Sequence, residues 1–155
     1  NYSAPGELPF YLRSDWAVLV LVEDIVGVTP LVYNNDPKYP LSKGQQLIGY
    51  GFGRFDDSNI SSSYLRKTNL TYLRDRQCKE WANGSDAIYD DKEHLCTRGT
   101  LTGLCLGDSG GPLIDPSTNI VLGLLSFGSP ICDKETTDYF TQVANLTISG
   151  LMSPY

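Results

Sequence analysis

Short apolar runs separated by turn residues constrain the fold of this chain more than any other feature. The runs are rich in β-branched and aromatic residues and lie at 16–22, 46–52, 112–114, 120–127 and 139–143. Clusters of Gly, Pro, Asn and Asp separate them. Runs of strand length bounded by such clusters are typical of antiparallel strands, so the pattern predicts an all-β fold.

Helix signals are few and local. Residues 75–82 begin with Asp75, which suits an N-cap, and are followed by Asn83-Gly84, so a helix of about two turns is predicted there. A second short helix is predicted over 144–152. The segment 23–44 contains three prolines and no apolar alternation, which indicates an extended connection between two packed units.

Length and charge exclude several classes of protein. The 155 residues include 12 Lys+Arg and 18 Asp+Glu, and the resulting net charge of −6 argues against nucleic-acid binding. With 41% hydrophobic and 19% charged residues, the composition is that of one globular domain. The longest apolar run, 16–22, is far shorter than the roughly 20 residues that a membrane helix requires, so no membrane span is predicted. We interpret this run as a buried strand.

Glycosylation triplets and cysteines indicate the compartment. Asn-x-Ser/Thr triplets start at Asn1, Asn59, Asn69, Asn83 and Asn145. The four cysteines are Cys78, Cys96, Cys105 and Cys132. Five acceptor triplets and an even cysteine count predict a secreted, extracellular glycoprotein with disulfide bonds. Since the sequence begins with Asn rather than Met, we expect a processed chain or an internal piece.

Metal and cofactor signals are weak. No Cys-x-x-Cys pair is present, which disfavours a zinc site, and cysteine spacing alone allows three disulfide pairings. No cluster of His, Asp and Glu has the spacing of metal ligands. We therefore predict neither a metal nor another cofactor, with a surface calcium loop left as the open alternative.

The candidate chemistry lies in residues 105–112, Cys-Leu-Gly-Asp-Ser-Gly-Gly-Pro. A serine hydroxyl attacks a carbonyl group when a base takes its proton and when donors stabilise the oxyanion that forms. The glycines around Ser109 permit unusual backbone angles, and the amides of Gly107 and Ser109 can point at one oxygen. The alternative is a glycine-rich turn with an idle serine, and the length of the motif favours the nucleophile.

This motif resembles the nucleophile signature of the chymotrypsin/trypsin family of serine proteases. Other segments resemble further landmarks of that family in the same order. Residues 14–19 resemble the segment with the triad acid, and residues 51–54 resemble the Gly-Trp-Gly-Arg turn. Residues 126–128 resemble the Ser-Trp-Gly substrate-binding strand, and residues 139–143 resemble the stretch before the C-terminal helix. The resemblance implies a double β-barrel fold, of which this chain covers mainly the C-terminal six-stranded antiparallel barrel. It also implies a serine endopeptidase that cleaves polypeptide substrates through an acyl-enzyme.

The resemblance divides the chain and assigns roles within it. It implies that 1–22 ends the N-terminal barrel, 23–44 connects the barrels, 45–143 forms the C-terminal barrel, and 144–155 forms a helix and tail. The implied roles are Ser109 as nucleophile, Asp15 as triad acid, the Gly107 and Ser109 amides as oxyanion donors, and Asp108 as the acid of the activation ion pair. The implied disulfides are Cys78–Cys96 and Cys105–Cys132.

The resemblance also locates a substrate pocket. Its implied substrate-binding residues are Gly103, Leu104, Ser126, Phe127, Gly128 and Asp138. Gly103 and Leu104 lie where trypsin-like members carry an Asp, so a trypsin-like floor is absent. Asp138 falls on another floor position, where an acid in some relatives partly replaces that charge, and the alternative for Asp138 is a solvated turn. We expect broad or apolar specificity with tolerance of Lys or Arg.

A catalytic histidine is missing from the pattern. The only histidine, His94, lies two residues before Cys96, where the family has a strand without a catalytic role. The family's histidine precedes the triad acid, yet only 14 residues precede Asp15. We expect a noncovalent partner chain to supply the histidine and the rest of the first barrel. The alternatives are a noncatalytic protease-like binding domain and a truncated fragment.

Overall fold

A computed structural model describes residues 14–56, 60–82, 89–100, 103–128 and 136–144. These residues form seven strands and one helix: β1 (Val32–Tyr33), β2 (Gln46–Gly51), β3 (Arg66–Tyr72), α1 (Asp75–Ala82), β4 (His94–Gly99), β5 (Pro112–Asp115), β6 (Ile120–Phe127) and β7 (Thr137–Gln142). The helix predicted at 75–82 is therefore present. The helix predicted over 144–152 lies outside the described residues, apart from Ala144.

Six of the strands close into an antiparallel barrel. Their order is β2-β3-β4-β7-β6-β5, and β5 pairs back onto β2. The short β1 pairs in parallel with β6 outside this ring. The all-β class and the six-stranded antiparallel barrel are confirmed, and closure leaves none of these six strands with a free edge.

Leucines and one phenylalanine from different strands fill the barrel. Leu47, Leu70, Leu113, Leu122 and Phe140 are at most 1% exposed and belong to one apolar cluster. Each comes from an inward-facing position of its own strand, as the two-residue period of a strand requires. Burial of side chains of this size stabilises the fold by about 1.5–3 kcal/mol each. This cluster therefore holds together the strands that carry the site.

Strands β3 and β4 were not among the predicted apolar runs. β3 reads Arg-Lys-Thr-Asn-Leu-Thr-Tyr, in which Thr68 and Leu70 are buried while Lys67 and Asn69 face solvent. Its backbone is paired with β2 over six residue pairs and with β4 over three. Pairing on both sides, rather than local apolar content, makes this polar segment a strand.

A disulfide joins α1 to the barrel. Cys78 on α1 and Cys96 on β4 form the first of the two expected bonds, with Cα atoms 6.0 Å apart. The guanidinium of Arg98 on β4 lies 4.7 Å from the ring centre of Trp81 on the same helix. Closing an 18-residue loop stabilises the folded chain by about 3 kcal/mol in the chain-entropy model.

The interpretation of 16–22 as a buried strand is wrong. No strand is assigned between residues 14 and 31, and Leu19 is 85% and Val22 101% exposed. No strand in the described part of the chain pairs with this run. Only Trp16 is partly buried, against the cluster of Ile114, Val121 and Val143.

The segment 23–44 runs mostly without regular structure, apart from β1, and its second half follows the barrel surface. Asn34 N donates to Val121 O at 2.8 Å, and the Tyr39 hydroxyl donates to the Asp115 carboxylate at 2.9 Å. Among the described residues, no helix has the length and apolar character needed to cross a membrane.

Candidate functional site

Ser109 lies at the tip of a tight loop between β4 and β5. Asp108 N donates to Cys105 O at 3.0 Å, and Gly111 N donates to Asp108 O at 2.9 Å, so the chain turns twice within seven residues. Gly107 and Gly110 have φ angles of 95° and 79°, which residues with side chains rarely adopt. The glycines of the motif are thus required by the turns, and Ser109 is left exposed to solvent.

The buried carboxylate of Asp108 anchors this loop to the turn after β2. Its Oδ1 accepts a hydrogen bond from Gly53 N at 2.7 Å, and its Oδ2 accepts one from Cys105 N at 2.9 Å. A Cβ on Gly53 would lie 2.6 Å from Asp108 Oδ1, and a Cβ on Gly51 would also clash with that carboxylate. The two glycines of this turn therefore make room for the acid.

Two backbone amides at and near Ser109 are available to a ligand. Within the part of the chain that the structure describes, neither Gly107 N nor Ser109 N donates a hydrogen bond. Their neighbours are engaged, since Asp108 N donates to Cys105 O and Gly110 N donates to Leu125 O at 2.8 Å. Unpaired amides next to a serine hydroxyl are what an oxyanion requires.

Asp15 is held against the strand that borders the pocket. Its Oδ2 accepts a 2.6 Å hydrogen bond from the hydroxyl of Ser126 on β6. Trp16 N donates to Ser14 O at 2.9 Å, so Asp15 lies at the centre of a tight turn. Asp15 and Ser126 are both partly buried. The expected triad acid is thus brought to the same strand as the expected substrate-binding residues.

A cavity of about 200 Å³ opens beside Ser109. Its lining consists of two segments of the nucleophile loop, the end of β6 and one residue of β7: Leu104, Cys105, Leu106, Ser109, Leu125, Ser126, Phe127, Gly128 and Asp138. Gly103 does not line it. The resemblance implies no role for two of the lining residues, Leu106 and Leu125. The sequence signal for Leu106 is its position inside the motif 105–112.

Asp138 forms the polar floor of this cavity and is not a solvated turn residue. It lies on β7, is 2% exposed, and its Oδ2 has no hydrogen-bond partner in the described structure. Burial raises the pKa of this carboxyl to about 7, while a backbone hydrogen bond from Leu104 acts to lower it and the nearby charge of Asp108 acts to raise it. A Cβ on Gly128 would lie 2.9 Å from Asp138 Oδ1, so glycine at this position leaves room for the carboxylate.

The aromatic side chain of Phe127 stacks on Tyr139 behind the pocket. The ring centres are 4.4 Å apart and the planes differ by 9°. The Tyr139 hydroxyl donates to Cys78 O at 3.1 Å, which links the pocket wall to α1. Burial raises the pKa of Tyr139 to about 12, so its hydroxyl stays protonated and keeps this bond at neutral pH.

The single histidine does not reach the site. His94 is 1% exposed, its Nδ1 accepts a hydrogen bond from Asp90 N at 3.2 Å, and its ring packs edge-on against Phe127 at 5.3 Å. It lines a different cavity, and neither Ser109 nor Asp15 is among the residues that line that cavity. This burial agrees with a structural role for His94.

Several expected residues fall outside the part of the chain that can be described. Cys105 is disulfide-bonded, but its expected partner Cys132 lies outside the described residues. Four of the five glycosylation triplets also start outside the described residues, at Asn1, Asn59, Asn83 and Asn145. Asn69 is described and faces solvent on β3. Among the described residues, no group of His, Cys, Asp and Glu side chains is arranged to hold a metal ion.

The chain is similar to several known proteins. It is 30% identical to Trypsin iota of Drosophila melanogaster over 137 residues, which cover 88% of this chain and 53% of that protein. It is 33% identical to Lectizyme of Glossina austeni over 130 residues, which cover 81% of this chain and 46% of that protein. The fold resembles a mutant of human heparin binding protein with a TM-score of 0.61 and 26% identity, over 83% of this chain and 52% of that one.

These matches extend over most of this chain but only part of its relatives. The chain spans about half the length of the proteins it matches. The family model described as Trypsin matches residues 2–148, and this range includes every element of the barrel and the nucleophile loop. The chain therefore belongs to the trypsin family of serine proteases.

Proposed function

We propose that this chain is the nucleophile-bearing part of a secreted serine endopeptidase. In this proposal Ser109 is the nucleophile, Asp15 orients the catalytic histidine, and the Gly107 and Ser109 amides bind the oxyanion. The observation that carries the proposal is the hydrogen bond from Ser126 to Asp15, because Ser126 and Ser109 line one cavity. A histidine between Asp15 and Ser109 would complete the catalytic group.

The proposed reaction is acyl transfer from a peptide bond. A histidine base takes the proton of Ser109 Oγ while this oxygen attacks the scissile carbonyl, and the oxyanion that forms accepts hydrogen bonds from Gly107 N and Ser109 N. The protonated histidine then gives its proton to the leaving amine, and an acyl-enzyme on Ser109 remains. Water, deprotonated by the same histidine, releases the acid and restores Ser109.

The histidine must come from polypeptide beyond the segments described above. We propose a noncovalent partner chain that carries it with the rest of the first barrel. The apolar run 16–22 supports this, because Val18 to Val22 are exposed and a contiguous apolar surface of this kind marks an interface. Ile25 and Val26, at 65% and 93% exposed, extend the same surface. A native mass of the purified protein that shows only a stable monomer would contradict this partner.

The cavity favours two kinds of side chain at the residue before the cleaved bond. Leu104, Leu125 and Phe127 provide apolar walls, and Asp138 provides one buried carboxylate. We propose broad or apolar specificity with tolerance of Lys and Arg, whose cationic heads would meet Asp138. A cleavage profile of a peptide library that is dominated by Arg and Lys alone would contradict it.

A noncatalytic binding domain is the second candidate. The observation that favours it is the burial of His94, the only histidine, since this chain by itself offers Ser109 no imidazole base. A truncated fragment without independent function is the third candidate. Coding sequence for a histidine-containing segment upstream would distinguish this fragment from a genuine short protein. The intact set of Asp108, Ser109 and Gly107 favours the enzyme over both.

Secretion and glycosylation belong to the same proposal. Asn69 stands in an Asn-x-Thr triplet on the solvent face of β3, so an attached glycan would not disturb the barrel. We expect the natively purified protein to lose mass on treatment with an N-glycosidase. Unchanged mass would remove this support for a secretory route.

A fluorophosphonate probe tests the enzyme proposal directly. Natively purified protein is treated with the probe, and the adduct is mapped by peptide mass spectrometry. We expect a stoichiometric adduct on Ser109, none with Ser109→Ala, and an unchanged adduct with Ser42→Ala, which alters an exposed serine in the segment before β2. No adduct on folded protein would favour the binding domain.

A further inference from the structure

Two buried polar side chains lie opposite each other behind the substrate cavity. Thr97 on β4 is 0% exposed, Asp138 on β7 is 2% exposed, and the two are direct partners in the pairing of these strands. Within the described structure, neither Thr97 Oγ1 nor Asp138 Oδ2 has a hydrogen-bond partner. Buried hydroxyl and carboxylate oxygens are costly to leave unpaired, so most of them in folded proteins are bonded to protein or to an ordered water.

Both side chains point to the inside of the barrel. Tyr139, which follows Asp138, donates a hydrogen bond to the backbone of α1 on the outside. Cys96 and Arg98, the neighbours of Thr97, also contact α1, through the disulfide bond and through a cation–π contact. Because successive side chains of a strand alternate between its two faces, Thr97 and Asp138 share the inner face.

The space between the two polar groups suits one water molecule. Directly opposite residues on one face of an antiparallel pair have Cβ atoms about 4.5–5.5 Å apart. The hydroxyl and the carboxylate are therefore close, yet no direct hydrogen bond joins them. Asp138 also lines the cavity beside Ser109, which gives water a route to it. One water here would accept a hydrogen bond from Thr97 Oγ1 and donate one to Asp138 Oδ2, as buried waters with two or more polar partners do.

We propose that Thr97 is a positioning residue for the carboxylate on the cavity floor, and that it acts on Asp138 through one buried water. A donor directed at Asp138 Oδ2 favours the ionised acid, which is the form that binds the cationic head of a Lys or Arg side chain. Thr97 does not line the cavity, so it influences the substrate only through Asp138. This inference rests on the specificity that the proposed function assigns to the cavity.

Few other polar groups act on Asp138 among the described residues. A backbone hydrogen bond from Leu104 acts to lower the pKa of Asp138, and the charge of Asp108 acts to raise it. β6 contains no ionisable side chain, and Tyr72 of β3, which pairs with Thr97 from the other side, lines a different cavity. The other titrating side chains of β4 and β7 lie on the outer faces of these strands: His94, Arg98 and Tyr139.

Binding of the amidinium benzamidine as a function of pH tests this role without catalysis. Calorimetric titration of the natively purified protein between about pH 5 and 9 gives the pH midpoint at which Asp138 becomes able to bind the cation. Thr97→Val removes the hydroxyl and keeps a side chain of similar size. We expect this variant to raise the midpoint by about one pH unit, because the ionised acid loses a donor. At the midpoint of the unaltered protein, such a shift weakens binding about 5-fold.

Two further variants separate the hydroxyl from its packing. Thr97→Ser keeps the hydroxyl, so we expect it to keep the midpoint of the unaltered protein. Thr141→Val is the matched control, because Thr141 is 1% exposed and its Oγ1 also has no hydrogen-bond partner in the described structure. Thr141 is paired with His94 and lies on the outer face of β7, away from the Asp138 side chain. We therefore expect Thr141→Val to leave the midpoint unchanged.

An unchanged midpoint in folded Thr97→Val, or equal shifts in Thr97→Val and Thr97→Ser, would overturn the inference. A crystal structure of the unaltered protein, on the alkaline side of the midpoint, needs no variant to fold. We expect it to contain a water within hydrogen-bond distance of Thr97 Oγ1 and Asp138 Oδ2, and a structure without this water would also overturn the inference. Fluorophosphonate labelling in parallel separates the proposals. Labelled Ser109 with an unchanged midpoint in Thr97→Val rejects only the role of Thr97, whereas no benzamidine binding at any pH rejects the cation specificity and this inference together.

Discussion

Asp15 and Ser126 are 111 positions apart in the sequence, yet the Ser126 hydroxyl donates a 2.6 Å hydrogen bond to the Asp15 carboxylate. The bond joins a segment without regular structure to the barrel strand that borders the pocket. A hydroxyl bonded to a carboxylate restricts the rotamer of the acid. The position of Asp15 therefore depends on β6 and not on its own apolar neighbours.

Loss of this bond should weaken the activation of Ser109. We expect Ser126→Ala to lower the rate of fluorophosphonate labelling by about 10-fold, since a hydrogen bond to a charged group contributes roughly 1.5–3 kcal/mol. The labelling rate is measured under conditions in which it follows a single exponential, with Ser42→Ala as the control. An unchanged labelling rate would mean that Asp15 does not act through Ser126.

Gly53 should be intolerant of a side chain. A Cβ there would lie 2.6 Å from Asp108 Oδ1 and 2.8 Å from Asp108 N, so the nucleophile loop would have to move. We expect Gly53→Ala to lower the free energy of unfolding by about 2–4 kcal/mol and to reduce labelling of Ser109.

Gly27→Ala serves as the control for that substitution. Gly27 has a φ of 80° with no atom within 4 Å of the added Cβ, so only backbone strain of about 1 kcal/mol is expected. Thermal and denaturant unfolding of the two variants provide the comparison. Equal destabilisation would show that contact with Asp108 is not the cause.

Asp138 should make stability fall as pH rises. Burial raises its pKa from 3.8 to about 7, so the folded state binds the proton more tightly than the unfolded state. The stabilising contribution is fully present below pH 3.8 and is lost as the pH rises to about 7. The total loss is on the order of a few kcal/mol.

Asp138→Asn removes the titrating group and keeps an acceptor for Leu104 N. We expect the variant to lack this fall in the free energy of unfolding between about pH 4 and 7, measured by denaturant titration at several pH values. Parallel curves for the two proteins across this range would be inconsistent with a buried, titrating Asp138.

The same carboxyl should control binding of a small cation. Benzamidine, a flat amidinium, fits a cavity with apolar walls and one acid. Because Asp138 is ionised above its pKa of about 7, we expect the dissociation constant to be about 10-fold lower at pH 8.5 than at pH 5.5. Calorimetric titration measures it, and Asp138→Asn should bind weakly at both values. Equal affinity at the two pH values in the unaltered protein would exclude this role.

The exposed run 16–22 should tolerate polar substitution. Val20 and Val22 are 88% and 101% exposed, so Val20→Ser with Val22→Ser should change the free energy of unfolding of the isolated chain by less than about 0.5 kcal/mol. A buried pair would lose several times more. Association with the proposed partner, measured by native mass spectrometry, should weaken in the same variant.

Local sequence patterns determined much of this protein. Apolar runs bounded by turn residues predicted β2, β5, β6 and β7, and the capping pattern predicted α1. The glycines around Ser109 predicted a turn there, because each of these features depends on neighbouring residues. The polar strand β3 could not be recognised in this way. Its backbone becomes a strand only because β2 and β4 supply hydrogen-bond partners on both sides.

Only the tertiary structure decided what surrounds the site. The run 16–22 has the composition of a buried strand, yet burial depends on a neighbour, and the described chain provides one only for Trp16. The sequence is also compatible with a solvated turn at Asp138. Only the closed barrel buries this residue and leaves its Oδ2 without a hydrogen-bond donor in the described structure. Asp15 meets Ser126 for the same reason: long-range packing brings together groups whose separation in sequence carries no information about their distance in space.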